Sequence, residues 1–422
     1  MKYAIILPDG AADHPLPQLG GRTPLQAARI PNMDWIARHG RLGRVVTIPD
    51  GFTPGTDVAT LTLFGYDPAT CYTGRAPIEA AAQGLTVAPD ELIFRCNFVT
   101  IRDGRMKDFT AGHIAQAEAE RLIADLSALA RAGEPALAGC KFHAGVGYRN
   151  LMLASGAADM QLKCAPPHDI PNQPVADHLP RGGGQERVRA IMARAATLLK
   201  DHEVNRARRA AGREPVTDIW LWGQGRPTKL TPFVERFGVR GAAITGVDII
   251  RGLAVLMGMH LIVVPGATGY LDTDYAGKGA AAAAALDQYD LVVVHAEAPD
   301  EAAHEGSAEK KVTALERVDE HVVGPVLAAL RRHGQWRILV APDHVTAVAS
   351  TAHEAGPPPF CFAGHDVPAD RAVPAGDAAP AGHDVPGGPG RPFSEPDAVA
   401  GGLLIDPGYR LIELFFRGAS AT

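Results

Sequence analysis

Cysteine is scarce in this chain: Cys71, Cys96, Cys140, Cys164 and Cys361 are widely scattered, odd in number and contain no CxxC pair. Such a set builds neither a disulfide framework nor a thiolate zinc site, and it reads as reduced thiols in a cytoplasmic protein. Long apolar runs are also missing. The stretch from Tyr3 to Leu7 is too short for a signal peptide and is followed at once by Asp9, and no later run is long enough to span a bilayer. Basic excess is absent as well, since 41 Lys and Arg stand against 47 Asp and Glu for a formal net charge of -6. Nucleic acid and anionic membrane are therefore not expected partners. Neither GxxxxGK[ST] nor a kinase-type glycine loop occurs, which removes the common nucleotide cradles.

What the chain does have is length and buried-strand pattern. At 422 residues and 46% hydrophobic composition, two domains, or one large domain with an insertion, are expected. Continuous apolar runs recur at Tyr3 to Leu7, Ile219 to Trp222, Leu261 to Val264, Leu291 to Val294 and Ile338 to Val340, as parallel strands buried on both faces require. Helices fit Asn32 to Gly40, Thr245 to Met257, the Ala run at 280–285, and Ala308 to Leu330, with Pro325 kinking or ending the last. The expected class is α/β, a doubly wound and mostly parallel sheet, formed by residues 1–80 and 216–422. A smaller α/β domain is expected to be inserted at 81–215. Residues 364–402, rich in Pro, Gly, Ala and Asp and poor in large apolar side chains, are expected to form a flexible loop.

Three acidic residues share one placement. Asp9, Asp300 and Asp343 each follow shortly after a predicted buried strand, and in open α/β sheets the carboxyl ends of strands form the ligand-binding edge. Converging carboxylates repel one another unless a cation lies among them. Imidazoles accompany them: His304 lies four residues after Asp300, on the same face of a helical turn, while His344 adjoins Asp343 and His353 follows. Read singly, each Asp is also an ordinary helix N-cap and each Asp-His pair an ordinary solvated loop. Together they suit two divalent ions, Mn²⁺ or Zn²⁺ with Mg²⁺ also admissible, of the kind that clamp attacking and leaving oxygens in phosphoryl transfer. A hydroxyl is available at Thr56, in a Gly-containing turn before an apolar run. There a metal and a helix N-terminus would ease its deprotonation, and helix capping is its compatible structural role.

Pro8-Asp9-Gly10, GTDVATLTLFGYDP at 55–68, YTGRAPIEAAAQG at 72–84, WLWGQGR at 220–226, PGATGYLDTDY at 265–275, HAEAPDEAAHEG at 295–306 and APDH at 341–344 together resemble the archaeal-type, cofactor-independent phosphoglycerate mutases of the alkaline phosphatase superfamily. The resemblance covers nearly the whole chain except the Pro/Gly-rich segment. It implies an alkaline-phosphatase-like domain built from both ends of the chain and interrupted by a substrate domain, with no 2,3-bisphosphoglycerate required. It also implies Asp9, Asp343 and His344 at one ion and Asp300, His304 and His353 at the other, with Thr56 where the family usually has a serine nucleophile. The extra methyl of threonine restricts χ1 and crowds an incoming phosphate.

The implied reaction transfers phosphate from 3-phosphoglycerate to Thr56 and back to the 2-hydroxyl of glycerate. For anchoring this small phosphorylated metabolite the candidates are Arg95, Asn97, His113, Arg149, His168, Arg226 and Lys229, arginine being suited to carboxylate and phosphate by its paired donors. FRCN, AGHI, PPHDI and WLWGQG bring the chain nearest a bacterial branch with a proposed homoserine kinase role. A homoserine kinase-like phosphotransferase, a metal-dependent phosphomonoesterase and a metal-binding protein without catalysis stay open as alternatives. The sequence does not indicate an oligomeric state.

Overall fold

The computed structural model describes residues 1–369 and 390–418, which divide into two compact units. The first is Met1–Tyr72 with Leu230–Thr422; the second is Thr73–Lys229.

The first unit is built on an eight-stranded sheet. In chain order its strands are β1 (Lys2–Pro8), β2 (Arg41–Val45), β3 (Gly241–Ile244), β4 (His260–Leu261), β5 (Leu291–Ala296), β6 (Trp336–Val340), β7 (Pro359–Gly364) and β8 (Leu404–Ile405). Their spatial order is β4-β3-β5-β1-β6-β7-β2-β8. All pairings are parallel except those of β7 with β6 and β2. At the centre, Ile5 lies level with Val293 on one side and Leu339 on the other. Every residue from Ala4 to Pro8 and from Leu291 to Ala296 is buried, so both faces of these strands are covered, which explains why their apolar runs do not alternate.

Eight helices of this unit matter below: α1 (Pro31–His39), α2 (Thr56–Leu63), α3 (Asp248–Leu256), α4 (Tyr275–Ala285), α5 (Ala298–His304), α6 (Ala308–Val318), α7 (Gly324–Leu330) and α8 (Glu395–Gly401). The helix expected over 308–330 is a continuous rod with a five-residue π segment, Asp319–Val323, between α6 and α7. That segment absorbs Pro325, which sits in the first turn of α7, so the chain is not broken there.

The second unit has a five-stranded antiparallel sheet centred on Leu92–Arg102, which pairs with Arg105–Asp108, Arg149–Ala154 and Asp218–Gly225; Cys140–Val146 adds outside Arg149–Ala154. Helices Gln116–Arg131 and Gln185–Lys200 contribute Leu122, Leu126, Ile191 and Leu199 to a core with Phe94, Phe98 and Trp220.

Two expectations need correction. The inserted unit is wider than 81–215, because the helix Arg75–Ala82 and the strand Asp218–Gly225, both assigned to the flanking domain, belong to it. Asp218–Gly225 hydrogen bonds to Leu92–Arg102, and an apolar run does not say which sheet it joins. Nor is 364–402 loop throughout. Ser394 caps α8 by accepting from the Asp397 N–H, and Phe393 is buried, while residues 370–389 lie outside those described.

Candidate metal centre and active site

The strands β5, β1 and β6 are neighbours and run parallel, so their carboxyl ends open at one edge. Asp9 leaves β1, Asp300 sits in the first turn of α5 after β5, and Asp343 follows β6. All three are buried. Beyond β6 the chain turns back as a small hairpin, Val345–Ala347 against Ala352–Glu354, whose register places Thr346 opposite His353. Glycine is required at position 10. Its φ is +56°, its N–H donates to Asp343 Oδ1 at 3.0 Å, and a Cβ there would meet Asp300 Oδ1 at 2.4 Å and Thr346 Oγ1 at 2.5 Å.

Two clusters result. In one, Asp300, His304 and His353 converge: His304 Nε2 is 3.1 Å from Asp300 Oδ2, His353 Nε2 is 3.4 Å from Asp300 Oδ1, and the two Nε2 atoms are 3.0 Å apart. His304 Nδ1 faces the carbonyl of Thr351 at 2.9 Å and His353 Nδ1 that of Pro54 at 3.4 Å. A carbonyl only accepts, so both Nδ1 atoms carry protons and both Nε2 atoms turn lone pairs toward each other and toward Asp300. That juxtaposition is repulsive unless a cation lies between them. In the metal-free protein a proton takes that part: donated from His304 Nε2 to the Asp300 carboxylate, it lifts the His304 pKa to about 9. Burial opposes ionisation of Asp300, but the imidazoles of His304 and His353 outweigh it and hold its carboxyl well below the usual range.

In the other cluster, His344 Nε2 lies 3.1 Å from Asp343 Oδ2, 3.5 Å from Asp9 Oδ1 and 3.3 Å from Thr56 Oγ1. Its tautomer is set by Thr346. That hydroxyl donates to Asp300 Oδ1 at 2.5 Å, so it can only accept from His344 Nδ1–H at 3.0 Å, leaving a lone pair on Nε2. Asp9 Oδ1 and Asp343 Oδ2 are buried oxygens without a hydrogen-bond partner among the described residues. Buried orphan acceptors aimed at an imidazole lone pair are the donor set of a divalent cation. Burial, then Asp343, Glu297 and Asp300, push the Asp9 carboxyl well above its usual range, the repulsion expected when carboxylates gather without their counter-ion.

Thr56 is the first residue of α2, every residue of which is buried. Asp57 in the same turn is fixed by accepting from the Val58 N–H at 3.0 Å and from the Tyr72 hydroxyl at 2.6 Å. The hydroxyl of Thr56 thus stands at a helix N-terminus, within reach of His344.

The second unit gathers a separate, cationic group. The Arg95 guanidinium lies 4.3 Å over the Trp222 ring and donates to Glu79 at 2.9 Å; the ring of His168 meets the same Trp222 edge-on at 5.1 Å. Burial, followed by the charges of Arg75 and Arg149, brings Arg95 down to about 10, and burial with the same arginines keeps the His168 pKa below its ordinary value. Asn97 accepts from Trp222 Nε1 at 3.2 Å and so orients the ring. Three other predicted anchors are placed differently: His113 is exposed on a turn with φ +47°, Arg226 donates to the carbonyl of Ala158, and Lys229 is exposed at the end of the unit. Arg75 belongs with the cationic group and was missed because an Arg four residues before Glu79 reads as a routine helix-surface pair. Thr346 and Lys311 were missed as well, neither carrying a motif of its own, while His295, which opens the HAEAPDEAAHEG segment, was given no role.

Carboxylates and imidazole lone pairs at the carboxyl edge of a doubly wound sheet define a class, the α/β proteins that use divalent cations at that edge. A family model described as 2,3-bisphosphoglycerate-independent phosphoglycerate mutase matches residues 37–205. The 2,3-bisphosphoglycerate-independent phosphoglycerate mutase of Methanothrix thermoacetophila is 49% identical over 371 residues, covering 88% of this chain and 92% of that protein. A probable enzyme of the same name from Geobacter sulfurreducens is 42% identical over 419 residues, covering 98% and 99%. The solved structure of the cofactor-independent phosphoglycerate mutase from Thermoplasma acidophilum is similar with a TM-score of 0.63 at 27% identity, covering 99% of each chain. The chain belongs to the 2,3-bisphosphoglycerate-independent phosphoglycerate mutase family.

Proposed function

We propose that this protein interconverts 3-phosphoglycerate and 2-phosphoglycerate through a phosphothreonine at Thr56, without 2,3-bisphosphoglycerate. The observation that carries this reading is the Thr56 hydroxyl at the start of buried α2, 3.3 Å from His344 Nε2 of the Asp9 and Asp343 cluster. Asp9, Asp343, His344 and Thr56 would hold one ion, and Asp300, His304 and His353 the other. Bound there, two divalent ions neutralise charge on the attacking and leaving oxygens. Mn²⁺ and Zn²⁺ suit this mixed carboxylate and imidazole set.

Thr56 Oγ forms a bond to phosphorus as the bond from phosphorus to the C3 oxygen breaks, the threonine's proton passing to that oxygen so that glycerate is released. Transfer from Thr56 to the glycerate 2-hydroxyl reverses the step and restores the free threonine. Backbone N–H groups at the start of α2 face the phosphate. Arg95 and Arg149, with Arg75, would supply the positive charge for glycerate and His168 a neutral imidazole, with Arg95 preset by Trp222 and Glu79. The names carried by the relatives favour the mutase over a kinase or a phosphomonoesterase. The five cysteines are all unpaired, in keeping with a reducing cytoplasm.

Purified protein with added Mn²⁺, coupled to enolase, should convert 3-phosphoglycerate, with no turnover in EDTA. Thr56→Ala should lose on the order of a thousandfold or more, as for removal of a nucleophile. Folded, metal-loaded protein that turns over no 3-phosphoglycerate would sink the proposal.

A further inference from the structure

One more buried group adjoins the metal centre. His295, the fifth residue of β5, places Nε2 2.7 Å from Asp9 Oδ2 and 3.4 Å from Glu297 Oε2. Its Nδ1 is 3.2 Å from Thr245 Oγ1, and that hydroxyl oxygen already accepts from the Val247 N–H at 3.0 Å. Nε2 faces two carboxylates, so the ring proton of His295 lies on Nε2 and points at Asp9, and Nδ1 accepts from the Thr245 hydroxyl. Behind the ring, Lys278 is wholly buried and donates to the carbonyls of His295 at 3.3 Å and Thr268 at 3.4 Å.

Asp9, His295 and Glu297 bring ligand atoms close enough to suggest a third cation. The spacing argues otherwise. At 2.7 Å the imidazole and carboxylate are in direct hydrogen bond, with no room for an ion between them, and Lys278 already places a positive charge beside the group. The result is a one-sided hold on Asp9: Oδ2 is tied to His295, while Oδ1 has no hydrogen-bond partner among the described residues and faces His344 Nε2 at 3.5 Å.

We propose that His295, its tautomer set by Thr245, is a positioning residue that aims Asp9 Oδ1 at the ion shared with Asp343 and His344. The inference rests on the metal-centre reading given above. A buried carboxylate without this donor would be free to rotate about χ2, and its second oxygen would lose its hydrogen bond. Partners of this kind, behind a ligand, typically alter metal affinity by roughly 10–100-fold.

The test is calorimetric titration of Mn²⁺ into metal-free, full-length protein. A background of His304→Ala with His353→Ala strips the imidazoles from the other cluster and leaves the Asp9 ion to be measured alone. There, His295→Leu should weaken Mn²⁺ binding by about 10–100-fold. His295→Gln, whose amide can still donate to Oδ2, should recover most of that loss, and Thr245→Val should fall between. With His304 and His353 restored, His295→Leu should leave the other ion's affinity unchanged. The inference is overturned if His295→Leu binds as tightly as its background, if the glutamine rescues nothing, or if both ions weaken equally. Should the leucine variant not fold, Thr245→Val decides alone, and binding equal to the background would overturn the inference. Unsubstituted protein that bound no Mn²⁺ would instead overturn the metal centre, and this inference with it.

Discussion

Replacing Thr346 with valine keeps the side chain's shape and deletes one hydroxyl that joins both clusters. Thr346 is fully buried, donates to Asp300 Oδ1 at 2.5 Å and accepts from His344 Nδ1 at 3.0 Å. A hydrogen bond to a charged group is worth about 1.5–3 kcal/mol and a neutral one about 1 kcal/mol, while a buried donor left unpaired costs about 1–3 kcal/mol. Thr346→Val should therefore destabilise the metal-free protein by roughly 3 kcal/mol, read as the shift in a urea denaturation curve. The more specific consequence concerns the metals. Without the hydroxyl, Asp300 loses one constraint and the His344 ring loses the partner that sets its tautomer, so one substitution should weaken both ions, each by about 10–100-fold. His304→Ala, by contrast, should weaken only the ion held by Asp300. Titration of Mn²⁺ into the two variants separates the cases. A Thr346→Val protein that lost affinity at one ion only, or at neither, would refute the view that this hydroxyl couples the clusters.

His304 gives a pH prediction. Its pKa rises from 6.5 to about 9 through its hydrogen bond with Asp300. A raised folded-state pKa means stabilisation that is complete below about 6.5 and lost as pH climbs through about 9. The metal-free protein should accordingly melt at lower temperature as pH rises across that window, Mn²⁺ affinity should climb over the same range as the competing proton leaves, and His304→Ala should remove both trends. Gly10→Ala combines a left-handed φ of +56° with a Cβ 2.4 Å from Asp300 Oδ1. It should cost at least about 2 kcal/mol and abolish metal binding, checked by thermal denaturation and titration. Arg95→Lys keeps the charge but loses the planar stack on Trp222 and the paired donors, so KM for 3-phosphoglycerate should rise about tenfold with a smaller change in kcat.

The three central strands of the main sheet were readable because parallel strands buried on both faces leave continuous apolar runs, as Tyr3 to Leu7, Leu291 to Val294 and Ile338 to Val340 do, whereas Arg41–Val45, Gly241–Ile244, Pro359–Gly364 and Leu404–Ile405 were not foreseen. The three aspartates were readable for a related reason: each comes just after such a run, and parallel neighbours discharge at one edge. What orients those aspartates was not. Thr346 is an ordinary strand threonine until the hairpin register sets it opposite His353, and His295 is one more residue of an apolar strand until β5 is laid beside β1. Lys311, four residues into α6, reads as a solvated helix lysine. Its ammonium is instead buried, donating to Asp13 Oδ2 at 2.8 Å and to the carbonyl of Thr346 at 2.7 Å, and so it supports the hairpin from below. Partnerships across about 300 residues of chain have no local pattern to betray them. The same limit assigned Ile219 to Trp222 to the wrong sheet.

A common design links the carboxylates of the centre. Asp343 is tied through Oδ1, which accepts from the N–H groups of Gly10 and His344, and open through Oδ2. Asp9 is tied through Oδ2 to His295 and open through Oδ1. Asp300 is tied through Oδ1 to Thr346 and turns Oδ2 toward His304. Asp9 and Asp343 are thus anchored on one side by neutral donors that fix their direction and present the other oxygen to the lone pair of His344, while Asp300 faces His304 through Oδ2 and His353 through Oδ1. Neutral donors can orient a carboxylate without cancelling its charge, whereas arginine or lysine in their place would satisfy the carboxylates and remove the demand for a cation. Lys278, close to the group, donates to backbone carbonyls and leaves Asp9 Oδ1 open. Burial and then carboxylate repulsion raise Asp9 in the metal-free protein; the repulsion is retained by the fold, and its relief on binding divalent ions is a source of their affinity.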